Sequence, residues 1–126
     1  MTEHELIART NQFALRVMKL IDAIPQNVQG RAIAGQLMRS GPSVGANYRA
    51  ACRARSKAEF ISRLGTVEEE ADESGFWLEL IIESGLLGEK RMRPLLSEAA
   101  ELASIAASSR KTAAKSQLAN RKSQIA

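Results

Sequence analysis

The densest chemistry in this sequence is cationic. Arg49, Arg53, Arg55, Lys57 and Arg63 fall within one fifteen-residue stretch, and Glu59 is the only acid among them. Arg49 and Arg53 stand four apart, so on a helix they share a face one turn from each other. Guanidinium and ammonium heads at this density can neutralise several phosphates of a nucleic-acid backbone. The competing reading is a solvated helix end, which takes basic residues equally well. Support for base stacking is thin: aromatic residues make up 4% of the chain, and Tyr48 is the only one beside the cluster. Binding through this cluster would therefore address the backbone, with little reading of base sequence.

Enzymatic chemistry finds few parts. A helical bundle can hold a di-iron centre through Glu residues and paired Glu-x-x-His motifs. Glu69, Glu70 and Glu73 have suggestive spacing, but His4 is the chain's single histidine, so the motif cannot be made and no metal is expected. Cys52 has no histidine to activate it. Arg49 and Arg53 could lower its pKa, yet a cysteine among alanines more often serves as a small apolar filler. The segment Gly41-Pro42-Ser43-Val44-Gly45 lacks the lysine of a phosphate loop, and no strand precedes it. The sequence thus predicts neither an enzyme nor a bound cofactor.

A second group of polar residues edges or enters the apolar stripes: Arg39, Asn47, Glu70 and Trp77. A polar residue at a core position of a bundle can set register or oligomer state. Arg39 or Arg49 could pair with acids of the following segment, within a chain or between copies. Trp77 brings a large apolar surface with one donor, which suits an interface or a core equally.

The elements that must position these groups are helical. Leu6, Thr10, Phe13, Val17, Leu20 and Ile24 mark a stripe at spacings of three and four from about Glu3 to Ile24, where Pro25 stops the helix. A second stripe, Ile33, Leu37, Ser40, Val44, Asn47 and Ala51, runs through a segment dense in Gly, Ala and Ser. It stays in phase across Gly41-Pro42, which predicts one kinked helix over about 27–54 rather than two. Ser56-x-x-Glu59 reads as a capping box opening the third helix, with Glu59 reaching back to the Ser56 amide. Phe60, Leu64, Val67, Ala71, Ser74, Leu78 and Ile81 follow, ending near Gly85 or Gly88. Met92, Leu95, Ala99, Leu102, Ala106 and Ser109 carry the fourth stripe, over about 89–114. The basic, polar residues 115–126 could extend that helix or fray. Four amphipathic segments with short connectors predict an all-α, antiparallel up-down-up-down four-helix bundle spanning residues 1–114, with 115–126 as a basic tail.

Charge and composition set the setting. The chain of 126 residues is 44% hydrophobic and 25% charged, enough for one domain with one core. Its net charge of +4 is unevenly spread: eight acids and no base between Leu64 and Glu89, but eight bases and two acids from Lys90 onward. Such segmentation can steer a polyanion or pair one helix with another. A single cysteine, an N-terminus with acids in place of a basic signal region, and no apolar run long enough for a bilayer lead us to expect a soluble cytoplasmic protein with no membrane partner.

The order of several short pieces carries a family resemblance. They are Ile24-Pro25, Gln36-Leu37-x-Arg39-Ser40, Ser43-Val44-Gly45-Ala46-Asn47, Arg53-x-x-Ser56-x-x-Glu59-Phe60, and Glu69-Glu70-Ala71-Asp72-Glu73 followed by Trp77-Leu78-Glu79. In this order and spacing they resemble the four-helix bundle proteins related to the 23S rRNA intervening-sequence proteins, among them accessory proteins of retroelement reverse transcriptases. The resemblance implies a ring-like homopentamer and a setting of nucleic acid or ribonucleoprotein. The chain departs from the pattern after Asn47, where the common Ala-Glu-Gly is replaced by Tyr48-Arg49-Ala50-Ala51. Two functions are compatible with this reading. One is a homo-oligomeric accessory factor that contacts RNA or DNA phosphates. The other is a scaffold that binds a protein partner, such as a reverse transcriptase, without touching nucleic acid.

Overall fold

The computed structural model describes residues 1–125, with side chains through Ser123. Four helices follow one another: α1 (Glu3–Ile21), α2 (Val28–Cys52), α3 (Lys57–Ser84) and α4 (Glu89–Ile125). Each packs on its neighbour in sequence. α3 lies against both α2 and α4 along most of its length, whereas α1 rests on α2 and touches α4 sparsely. The expected four-helix bundle is the architecture found.

The stripes read from the sequence form the core. Phe13, Val17, Leu37, Val44, Ala71, Leu78, Ile81, Met92 and Ala99 are fully excluded from solvent. The polar stripe positions Thr10, Ser40 and Ser74 are buried as well. Ser40 of α2 and Ser74 of α3 place their hydroxyls 3.0 Å apart, and Ser74 donates to the Glu70 carbonyl at 2.9 Å. With the Ser74 proton so used, Ser40 donates to the Ser74 oxygen.

Close helix approach explains the small residues of α2. A Cβ on Gly41 would lie 2.9 Å from Val17 of α1, and one on Gly45 would lie 3.2 Å from the Thr10 hydroxyl. Gly30 is tighter still: a Cβ there would fall 1.9 Å from the Pro25 carbonyl oxygen.

The helix ends differ in detail from the sequence reading. α1 stops at Ile21, three residues early, and a tight turn in which Ala23 donates to Leu20 and Ile24 to Ile21 still tucks Ile24 into the core. α2 passes through Pro42 as one helix, capped at its start by Asn27, whose side chain accepts from the Gly30 amide at 2.7 Å. The box at Ser56 is half as expected. Ser56 accepts from the Glu59 amide at 3.1 Å, but Glu59 accepts from the Arg55 amide at 3.0 Å and not from Ser56. The complete box lies at Thr2 and Glu5 instead. α3 ends at Gly85, whose φ of 77° is the left-handed conformation glycine adopts without a Cβ clash. α4 continues through Ala114 without a break, so the change there is one of burial. Ala113 is its last buried residue among those described. Ala126, the end of the expected tail, lies outside the described residues.

Candidate nucleic-acid interface

The cationic cluster gathers at the end of the bundle where α2 turns into α3. Arg49 lies in the last turn of α2 and Arg53 is its C-cap. Arg55 stands in the connecting turn, Lys57 opens α3, and Arg63 follows on the same helix. All five are exposed. Cations at a helix C-terminus meet unpaired carbonyls, which favours Arg49 and Arg53 there irrespective of any ligand.

The cluster wraps the end of the bundle rather than forming one flat face. Arg49 borders a groove of about 500 Å³ between α1 and α2, together with His4, Ile7, Asn11 and Pro42. Lys57 points the other way and donates from Nζ to Ser116 of α4 at 3.0 Å. None of the five cations forms an ion pair among the described residues. Some bases elsewhere on the bundle are paired with acids of the same chain. Arg9 grips Glu98 with Nε and Nη2, both at 2.7 Å, and Glu101 at 2.9 Å. Those hydrogen bonds, first to Glu98 and then to Glu101, push the Arg9 pKa further up. Arg110 meets Glu68 at 3.0 Å, and Arg93 meets Glu89 one turn away.

Arg39 pairs with the acids of α3 within one chain, bonding Glu73 and meeting Glu70 at 3.3 Å. Its side chain is 51% exposed, so it edges the stripe and is not a buried charge. Arg49 makes no such pair among the described residues. Glu70 is the better buried partner, with a side chain 16% exposed. Asn47 is half-buried and donates to the Ser43 carbonyl of its own helix at 2.9 Å. Trp77 is half-buried with its ring 5.0 Å from that of Phe76, edge to face. Its Nε1 is buried without a hydrogen-bond partner among the described residues.

Two residues beside the cluster turn inward. Tyr48, read from the sequence as the aromatic neighbour of the patch, is 8% exposed and belongs to the core. It is therefore withdrawn from any stacking role. Cys52 is partly buried next to it, and burial, more than any other influence, holds the thiol above its ordinary pKa. Arg49 and Arg53 thus fail to activate it.

The clasp of Arg9 on Glu98 and Glu101 and the contact of Arg110 with Glu68 were not anticipated from sequence. They join residues 89 and 42 positions apart, and nothing local marks them. The Ser40–Ser74 pair did leave a signal, since each serine fills the empty slot of its own apolar stripe.

Among the described residues no group of three or more His, Cys, Asp or Glu side chains could hold a metal ion. No described helix is long and apolar enough to cross a membrane. No curated protein matches the sequence significantly. The structure is similar to the 1.70 Å crystal structure of a protein of unknown function from the S23 ribosomal protein family of Bacteroides thetaiotaomicron. The two are 29% identical with a TM-score of 0.78, over 88% of this chain and 99% of that one. The model of the 23S rRNA-intervening sequence protein family matches residues 2–108. With that span matched and the fold shared, the chain belongs to the family of 23S rRNA-intervening sequence proteins.

Proposed function

We propose that the protein is a cytoplasmic, homo-oligomeric accessory factor that binds the phosphate backbone of RNA or DNA with little sequence preference. The observation that supports this is a concentration of exposed cations: five lie at the α2–α3 end of the bundle with no ion pair among the described residues. They are Arg49, Arg53, Arg55, Lys57 and Arg63. A ring of five copies, as the family resemblance suggests, would repeat this cluster and add avidity.

Salt dependence tests the reading. Five phosphate contacts on a single strand correspond to a slope of roughly −3.5 in log affinity against log salt, at about 0.7 per contact. Affinity for a fluorescein-labelled oligouridine should therefore fall at least about 100-fold between 50 and 200 mM salt. The double variant Arg49→Ala/Arg53→Ala should flatten the slope by about 1.4. No binding even at low salt defeats the proposal and leaves the protein-binding scaffold as the reading. Light scattering at micromolar concentration tests the ring separately, and a stable monomer removes the avidity argument.

A further inference from the structure

The bundle ends before its fourth helix does. Ser116 is level with the first turn of α3, where Lys57 reaches its hydroxyl at 3.0 Å. Ala113 is the last buried residue of α4 among those described, yet the helix runs to Ile125. Past Ser116 this leaves an arm roughly 13 Å long at 1.5 Å per residue. The matched family span ends at residue 108, short of the arm.

The end of α4 is one-sided. No acid follows Glu101 in the sequence. Lys111, Lys115 and Lys122, with Leu118 between the last two, fall at spacings of four, three and four, which is a straight row along one helix face. At about 100° per residue the lysines lie some 160–200° around the helix from Ala113, the residue that turns toward the core. All of them are exposed, and Arg121 is exposed beside them. Among the described residues none of these four cations has an acidic partner.

Packing within the chain does not account for this design. Lys111 and Lys115 lie on the outer side of the last packed turns, where like charges four apart oppose helix formation, and Arg121 and Lys122 lie on the arm past Ser116. A linear polyanion laid along the row removes that repulsion. We propose that the basic row, running from the outer side of the last packed turns of α4 onto the arm, is a second contact to the nucleic-acid backbone, separate from the cluster at the α2–α3 turn. The proposal rests on the reading of the protein as nucleic-acid-associated. Both sites lie at the same end of the bundle, so one strand could cross from the turn to the arm.

The test uses the full chain carrying Lys111→Gln, Lys115→Gln and Lys122→Gln, which keep helix-forming side chains and alter no core residue. Binding of a fluorescein-labelled twenty-nucleotide oligouridine is measured by anisotropy from 50 to 200 mM salt. Three lost contacts should flatten the slope by about 2, so the wild type loses roughly 20-fold more affinity over that range than the variant. An unchanged slope in the variant, with the wild type binding normally, overturns the row alone. Absence of wild-type binding overturns the row together with the function it rests on. Two further measurements guard the choice of partner. If the substitutions change the mass in light scattering, the row contacts another copy and the proposal falls. If they abolish binding to phosphatidylserine vesicles while oligouridine binding is unaltered, the row is a lipid contact and the proposal falls.

Discussion

The paired serines of α2 and α3 allow an asymmetric prediction. Ser74→Ala removes the acceptor for the Ser40 hydroxyl, which is completely shielded from solvent. An orphaned buried hydroxyl costs about 1–3 kcal/mol. Ser40→Ala is milder, because Ser74 keeps its bond to the Glu70 carbonyl at 2.9 Å. Only one neutral hydrogen bond is lost, at a cost of about 1 kcal/mol. In the double variant both partners become apolar at once and no polar atom is stranded, so the change should be nearly neutral. Urea unfolding followed by circular dichroism, at one fixed protein concentration, reads these differences. With a slope near 2 kcal/mol per M, Ser74→Ala should shift the midpoint by roughly 1 M. The double variant should be more stable than Ser74→Ala. If the double variant instead loses the sum of the two singles, the hydroxyls are not coupled and the hydrogen bond assigned here is wrong.

Two glycines of α2 should respond to alanine with opposite signs. Gly30→Ala drives a Cβ into the Pro25 carbonyl at 1.9 Å and should destabilise by about 1–3 kcal/mol or more. Gly35→Ala meets nothing within 4 Å and should stabilise by up to about 1 kcal/mol; thermal unfolding of the two variants decides. For Cys52 the pH dependence follows from a thiol held in its neutral form. Its pKa is raised in the folded state, chiefly by burial. The associated stability is fully present below the ordinary thiol pKa of about 8.5 and is lost as pH rises through the higher folded value. Alkylation by iodoacetamide should accordingly be slow at pH 7.5 and accelerate only at a pH above that of a free cysteine. A thiol that reacts fast at neutral pH would mean that Arg49 and Arg53 do govern it.

The sequence itself determined the helices and the inward faces, because burial of a stripe at 3.6-residue spacing is a local property of each segment. Phe13, Leu37, Leu78 and Met92 were readable in this way, and so was a glycine stop for α3, although the choice of Gly85 over Gly88 came from the structure. It also placed the five clustered cations at one turn, since they are neighbours along the chain. Boundaries were less legible. Glu59 could reach either of two adjacent amides, and only the path of the Arg55–Ser56 backbone decided between them. The pairing of charges belonged to the tertiary structure alone. Arg9 with Glu98, and Arg110 with Glu68, depend on which faces of distant helices meet. Tyr48 shows the same limit: adjacent in sequence to Arg49, it turns inward, because neighbours on a helix point about 100° apart. Tertiary structure also joined what the chain separates, setting the basic end of α4 beside the cluster at the α2–α3 turn. Residue types state which groups could carry charge to a partner, while packing determines which of them are already neutralised and which are left to bind.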